Sequence, residues 1–232
     1  MLYVDQTSGT TGPSKGVILD EAVFLAMAEV ECADLEISSR SVVLIDRWGS
    51  PGWQKVCWAR VSGCRLSIYP GREKASLREW IRHKEVTHVS VQATTFRYIV
   101  SGLYRFDNVR VIDVGGDMVD WGDARQSREY FPNAVFFNRY SITETRPVCR
   151  KRVERDQPTG EGRMPVGLPV KGVSVAIDDN TQEILVSSPY MAEGYYNDPE
   201  LTATKFVNGW YHTGDKGHWL PNGELMHEGR MP

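Results

Sequence analysis

No apolar run in the sequence approaches the length of a membrane-spanning helix, so no membrane span is expected. Met1-Leu2-Tyr3-Val4-Asp5 has neither the basic start nor the apolar stretch of a secretory signal. Cysteine is sparse: Cys32, Cys57, Cys64 and Cys149 form no Cys-x-x-Cys pair. That excludes a disulfide framework and reads as reduced thiols in a cytoplasmic protein. The histidines, His83, His88, His212, His218 and His227, do not cluster with cysteines or carboxylates at ligand spacing, which argues against structural zinc. Neither sign of charge dominates. With 27 basic against 30 acidic residues the net charge is −3, which gives no reason to expect nucleic acid or an anionic membrane as a partner. Internal repeats and low-complexity tracts are also absent.

What remains is the composition of a globular protein, 41% hydrophobic and 25% charged over 232 residues, enough for one large domain or two smaller ones. The first two-thirds alternates strand and helix patterns. Asp20 can cap a helix from Glu21 to about Asp34, with Val23, Ala26, Met27 and Val30 as its apolar stripe. Val42–Ile45 and Leu66–Tyr69 read as short buried strands. Helices near 76–83, 94–103 and 120–130 lead into strands at 89–91, 109–114 and 135–137. This rhythm predicts an α/β fold with a mainly parallel sheet flanked by helices. Residues 138–144 then fall just past a strand's carboxyl end, where open α/β sheets bind ligands. From about residue 150 the pattern changes. The runs 173–177 and 183–186 flank a turn, and Pro221-Asn222-Gly223 marks a second. The division expected is therefore 1–150, an α/β nucleotide- and acyl-binding part, and 151–232, a small antiparallel β subdomain.

One loop stands out, Thr7-Ser8-Gly9-Thr10-Thr11-Gly12-Pro13-Ser14-Lys15-Gly16. Its glycines allow close backbone approach, its threonines and serines supply short hydroxyl donors, and Lys15 supplies a mobile cation. Exposed N–H groups, hydroxyls and an ammonium together suit a polyphosphate. It is not a Walker A loop, because Pro13-Ser14 separates Gly12 from Lys15 and Gly16 follows the lysine. The alternative is a flexible Ser/Thr/Gly linker, against which stand the flanking apolar runs Leu2-Tyr3-Val4 and Val17-Ile18-Leu19.

The loop resembles the phosphate-loop signature of the adenylate-forming superfamily, which includes acyl-CoA synthetases, peptide-synthetase adenylation domains and luciferases. Four further segments follow in the family's order. Asn138-Arg139-Tyr140-Ser141-Ile142-Thr143-Glu144 is similar to its Asn-x-Tyr-Gly-x-Thr-Glu motif. Glu193-Gly194-Tyr195-Tyr196-Asn197-Asp198-Pro199-Glu200-Leu201-Thr202 resembles its Arg-Gly-Tyr…Pro-Glu-Leu-Thr segment. Trp210-Tyr211-His212-Thr213-Gly214-Asp215 matches its Thr-Gly-Asp motif, and Gly229-Arg230 the opening of its hinge.

The resemblance implies ATP-dependent activation of a carboxylic acid as an acyl-adenylate, with AMP as the nucleotide product and Mg2+ as the metal. Thr7, Ser8, Gly9, Thr10, Thr11, Gly12 and Lys15 would hold the β- and γ-phosphates, where donors neutralise developing charge. Thr143 would touch the α-phosphate and Glu144 the magnesium, a hard cation that needs only one or two carboxylates. Asp215 would accept the ribose hydroxyls, with Arg230 as a second ribose contact. Gly115-Gly116-Asp117 would pass along one face of adenine and Tyr140 stack on the other, beside Asn138 of the same motif. For Lys15, Glu144 and Tyr140 the plain alternatives are a solvated loop lysine, a helix-terminal glutamate and a core aromatic. His227 is a nucleotide-facing candidate or a surface strand histidine. Trp48, Trp53, Trp58 and Phe96 would wall the acyl pocket or serve as core.

Departures from the pattern are mild. Ser14 replaces a proline, Ser141 a glycine, Asp117 a glutamate, and Pro232 stands at the hinge aspartate. Against the family the chain reads as truncated at both ends, lacking the upstream segment and the mobile C-terminal domain. Expected partners are a carboxylic acid substrate, coenzyme A as a possible acceptor, and a complementary polypeptide supplying missing segments. The competing readings are a non-catalytic ATP- or AMP-binding or interaction module, and a fragment of an amino-acid adenylation domain.

Overall fold

The computed structural model of the protein describes residues 2–7, 15–71 and 74–232. In chain order its elements are β1 (Leu2–Thr7), β2 (Lys15–Asp20), α1 (Glu21–Asp34), β3 (Val42–Ile45), α2 (Ser50–Ser62), β4 (Arg65–Ile68), α3 (Lys74–His83), β5 (His88–Gln92), α4 (Ala93–Val100), β6 (Val111–Gly115), α5 (Trp121–Tyr130), β7 (Val135–Ile142), β8 (Arg146–Val153), β9 (Leu168–Pro169), β10 (Ser174–Ile177), β11 (Glu183–Ser187), β12 (Gly194–Tyr195), α6 (Pro199–Lys205), β13 (Phe206–Val207), β14 (Trp210–Trp219) and β15 (Leu225–Arg230). The chain forms two compact units that interleave in sequence. A parallel-sheet unit comprises Ala28–Arg139 and Lys151–Met164, and an antiparallel unit comprises Met1–Met27, Tyr140–Arg150 and Pro165–Pro232.

In the parallel-sheet unit β3 pairs in parallel with β4 and β5, β5 with β6, and β6 with β7. The strand order β4-β3-β5-β6-β7 puts β4 and β5 on opposite sides of β3, so the topology switches there. Every residue of β3 and β6 is buried, as strands covered on both faces must be. The core fills with rings. Phe96 of α4 meets Phe136 edge-on at 5.7 Å between centroids, and Phe131 stacks on Phe106 at 4.9 Å.

Local chemistry sets the helix ends. Asp20 Oδ1 accepts from Ala22 N at 3.0 Å at the start of α1. Asp120 and Asp123 form a reciprocal capping box on α5. α4 stops at Val100, short of the expected end near Leu103, where Arg78 Nε donates to the Ile99 carbonyl at 3.1 Å. The helix α2 lies in a stretch that the sequence pattern left without an element, because Gly49, Pro51 and Gly52 at its start look like a loop.

In the antiparallel unit β1 and β2 pair from Leu2↔Asp20 to Thr7↔Lys15, and β12 adds to β2 through Gly194↔Ile18 and Tyr195↔Val17. A second sheet runs β10-β11-β14-β13, with β15 on β14, and contains both expected hairpins. In the first, Asp178 Oδ1 accepts from the N–H groups of Asn180 and Thr181. All four cysteines are buried thiols outside any disulfide, and burial pushes the Cys32 thiol up to about 12. Among the described residues no helix is long and apolar enough to cross a membrane.

Candidate functional site

β14 alternates buried and half-buried residues, which places Tyr211, Thr213 and Asp215 on one inward face. β7 extends to Ile142, with Asn138 and Tyr140 both buried. Residues 138–142 are therefore inside the strand rather than past its end. Only Thr143, half-buried, and Glu144, buried, lie in the turn beyond its carboxyl end. The apolar run ends at Phe137, but period-two burial continues through polar residues and carries the strand on.

In the antiparallel unit two carboxylates are each held by a buried tyrosine. Tyr140 donates its hydroxyl to Asp215 Oδ2 at 2.6 Å. Asp215 Oδ1 lies 3.2 Å from Arg230 Nε and 3.6 Å from His227 Nε2. Arg230 Nη1 also donates to the Thr213 carbonyl at 2.7 Å, and the Tyr140 and His227 rings face each other at 4.8 Å. Burial alone would raise the Asp215 carboxyl, but hydrogen bonds from His227 and Tyr140 and the charge of Arg230 hold it below the ordinary carboxylate range. Burial, then the neighbouring Asp215 charge, pushes the Tyr140 phenol well above its ordinary value. At neutral pH the pair is a phenol donor on an anion.

The second carboxylate is Glu144. Tyr195 donates its hydroxyl to Glu144 Oε1 at 2.7 Å and sits 3.0 Å from the Tyr211 hydroxyl. Burial and then the Glu144 charge raise the phenols of both Tyr195 and Tyr211. Lys15 Nζ lies over the Tyr195 ring, 5.7 Å from its centroid. Two groups are thus assembled from distant segments: Tyr140 with Asp215, Arg230 and His227, and Glu144 with Tyr195, Tyr211 and Lys15. Thr7 ends β1 opposite Lys15, while Ser8, Gly9, Thr10, Thr11 and Gly12 lie outside the described residues. Tyr195 and Tyr211 were quoted only as parts of motifs. Their alternation with Asp215, at 211, 213 and 215, was the signal that could have singled out Tyr211.

The remaining candidates belong to the parallel-sheet unit. Asn138 is buried, with Nδ2 3.4 Å from the Met164 carbonyl. Gly115 closes β6, and a Cβ there would lie 2.4 Å from the Arg139 carbonyl oxygen. Gly116 turns with φ 75°, and Asp117 is exposed with Oδ1 accepting from Met118 N at 2.7 Å. At the topological switch Lys55 Nζ donates to the Ser90 carbonyl at 2.8 Å and pairs with Asp46 at 3.2 Å. Ser90 Oγ donates to Asp113 Oδ2 at 2.7 Å, and Arg139 pairs with the same carboxylate. Of the expected acyl-pocket wall, Trp58 and Phe96 are fully buried core and Trp48 is exposed. The Trp58 indole N–H donates to Glu31 at 2.9 Å, a structural task.

A family model described as AMP-binding enzyme matches residues 1–196. The chain is 29% identical over 255 residues to Novobiocin biosynthesis protein H of Streptomyces niveus, covering 100% of this chain and 41% of that one. It is 26% identical over 257 residues to Gramicidin S synthase 1 of Brevibacillus brevis, covering 100% of this chain and 22% of that one. Among solved structures, O-succinylbenzoate coenzyme A synthetase from Bacillus subtilis in complex with AMP matches with a TM-score of 0.84 at 23% identity, over 98% of this chain and 49% of that chain. The likeness in structure is one of fold. The chain spans less than half the length of each of these relatives.

Proposed function

The chain belongs to the AMP-binding enzyme family, and from that membership we propose that it binds ATP with magnesium and serves the activation of a carboxylic acid as its acyl-adenylate. The observation that carries this reading is the convergence, within one unit, of Lys15, Glu144, Tyr140, Asp215 and Arg230 from four separate segments. In the proposed reaction an oxygen of the acid attacks the α-phosphorus. The acyl–oxygen–phosphorus bond forms, the bond from phosphorus to the bridging oxygen breaks, and pyrophosphate leaves with that electron pair.

Each group has a part in it. Asp215 and Arg230 take the ribose: a carboxylate has about four acceptor sites, so Asp215 can receive hydroxyls beyond the bond from Tyr140. Tyr140 fixes that carboxylate as an anion. Thr143 contacts the α-phosphate, and Lys15 with the Thr7–Gly12 loop holds the outer phosphates. Among the described residues no group of three or more His, Cys, Asp or Glu is assembled for a metal. Magnesium keeps waters and phosphate oxygens and takes one or two carboxylates, so Glu144 as a single hard donor fits a metal that arrives with the triphosphate. Bound there, magnesium would neutralise charge on the departing phosphate oxygens. A thiol, with coenzyme A as one candidate, is the proposed acceptor of the acyl group.

Calorimetric titration with ATP and Mg2+ tests the binding, and exchange of labelled pyrophosphate into ATP with a panel of carboxylic acids tests the chemistry. We expect saturable ATP binding that Lys15→Ala weakens about tenfold while AMP binding holds, since a lysine–phosphate contact is a charge-assisted bond. Absence of ATP binding would overturn the proposal. Binding without exchange for any acid would leave a nucleotide-binding module.

A further inference from the structure

The segment Ala192–Tyr196 is bonded on both sides. Ala192 N donates to the Glu144 carbonyl at 2.7 Å, while Glu193 N donates to the Ile18 carbonyl at 3.0 Å and Tyr196 N to the Gly16 carbonyl at 2.7 Å. These five residues therefore tie the strand that begins with Lys15 to the turn that carries Glu144. Tyr195 sits in the middle and repeats the tie with its side chain, hydroxyl on Glu144 and ring face under Lys15.

Its placement is constrained from several directions. Gly194, at φ 146°, would put a Cβ 2.6 Å from Thr202 Cγ2, so only glycine lets the strap lie this close to α6. Tyr195 N donates to Thr202 Oγ1 at 2.9 Å. Phe206 meets the Tyr195 ring edge-on at 6.0 Å and lies 4.9 Å from the Tyr211 ring, a shared wedge between the two phenols. Because the Tyr195 proton is given to Glu144, Tyr211 donates to the Tyr195 oxygen. The hydroxyls then form a chain, Tyr211 to Tyr195 to Glu144, that fixes which carboxylate oxygen remains for other ligands.

We propose that Tyr195 is a positioning residue that couples the outer-phosphate cation to the metal carboxylate. Its hydroxyl aims Glu144 and its ring seats Lys15, with Tyr211 as the backing donor. The proposal rests on the assignment of Glu144 and Lys15 made above. Its general chemistry is that of groups hydrogen-bonded to a metal's ligand, whose removal typically costs roughly 10–100-fold in metal affinity.

The test is titration of the full chain with ATP across a series of Mg2+ concentrations, with AMP in EDTA as the metal-free control. Tyr195→Phe keeps the ring and loses the hydroxyl. It should raise the Mg2+ concentration needed for half-maximal ATP binding at least about tenfold and leave metal-free AMP binding within about twofold. Tyr195→Leu removes the ring as well, and should also weaken metal-free ATP relative to AMP. Tyr211→Phe should shift the Mg2+ requirement in the same direction but less. Unchanged Mg2+ dependence in Tyr195→Phe overturns the coupling while leaving the nucleotide reading intact. Equal loss of ATP and AMP binding also overturns it, since that is the signature of a merely structural residue. An unmodified chain that binds no ATP sinks both proposals. Thermal unfolding of each variant shows whether it is folded, and should Tyr195→Phe not fold, Tyr211→Phe carries the same comparison.

Discussion

Asp215 is only 3% exposed and ionised, and its partners rather than solvent keep it so. An unfolded aspartate titrates near ~3.9, and here the folded carboxyl lies lower. Between those two values the unfolded chain binds a proton that the folded one does not. Stability from this group is therefore fully present above about pH 4 and lost as the pH falls through the folded value. Asp215→Asn should be less stable than the parent at pH 7 and show a shallower loss on acidification. Urea unfolding between pH 2 and 7 measures this; parallel acid limbs for the two proteins would exclude it. Asp215, Tyr140 and Glu144 could be picked from the sequence because their motifs carry them. That Asp215 spends one oxygen on Tyr140, and Glu144 one on Tyr195, could not, because each bond joins segments more than fifty residues apart.

Elements add constraints that a residue-by-residue reading assigns to ligands. Gly115 looked like part of an adenine-binding turn, yet its φ is not in the left-handed range and its side of the strand is filled. A Cβ would lie 2.4 Å from the carbonyl oxygen of Arg139, its register partner on β7. Backbone cannot swing aside as a side chain can, so Gly115→Ala must separate β6 from β7. Overpacking of this kind costs about 1–3 kcal/mol, and the upper end is expected here. Equilibrium urea unfolding of Gly115→Ala, with ATP absent, measures it; a change within about 0.5 kcal/mol, as at ordinary surface sites, would mean that the space is there after all. Strands β3 to β7 and helices α1, α3, α4 and α5 were legible because their apolar periods are regular and polar caps such as Asp20 and Asp120 stand at their starts. Helix α2 was not. It opens on Gly49-Ser50-Pro51-Gly52, and its buried positions include Lys55, which a reading by hydrophobic period counts as outward-facing. Only the carboxylate of Asp46 and the carbonyl of Ser90 explain that lysine, and neither is near it in sequence.

For the molecule as a whole the sequence suggests a change of character near residue 150, whereas compactness divides the chain at Met27/Ala28, Arg139/Tyr140, Arg150/Lys151 and Met164/Pro165. Composition along a chain records which residues follow one another, not which strands later return to a unit begun earlier. Three of those four points fall inside regular elements: α1 continues through the first, β7 through the second and β8 through the third. A helix or strand that passes from one unit into the other cannot melt in one without losing hydrogen bonds in the other, because each end fixes the dihedral angles next to it. Domains joined by flexible linkers can unfold separately, and chains with several domains commonly depart from two-state behaviour. Here the joints are rigid elements, so a single cooperative transition is expected. Scanning calorimetry should give a calorimetric enthalpy equal to the van't Hoff enthalpy. A substitution in one unit, such as Gly115→Ala, should then lower the transition followed by the tyrosines of the other unit by the same amount. Two resolved transitions, or a Gly115→Ala shift confined to probes in the parallel-sheet unit, would mean that α1, β7 and β8 act as hinges, and that the nucleotide-site residues of the antiparallel unit are stabilised on their own.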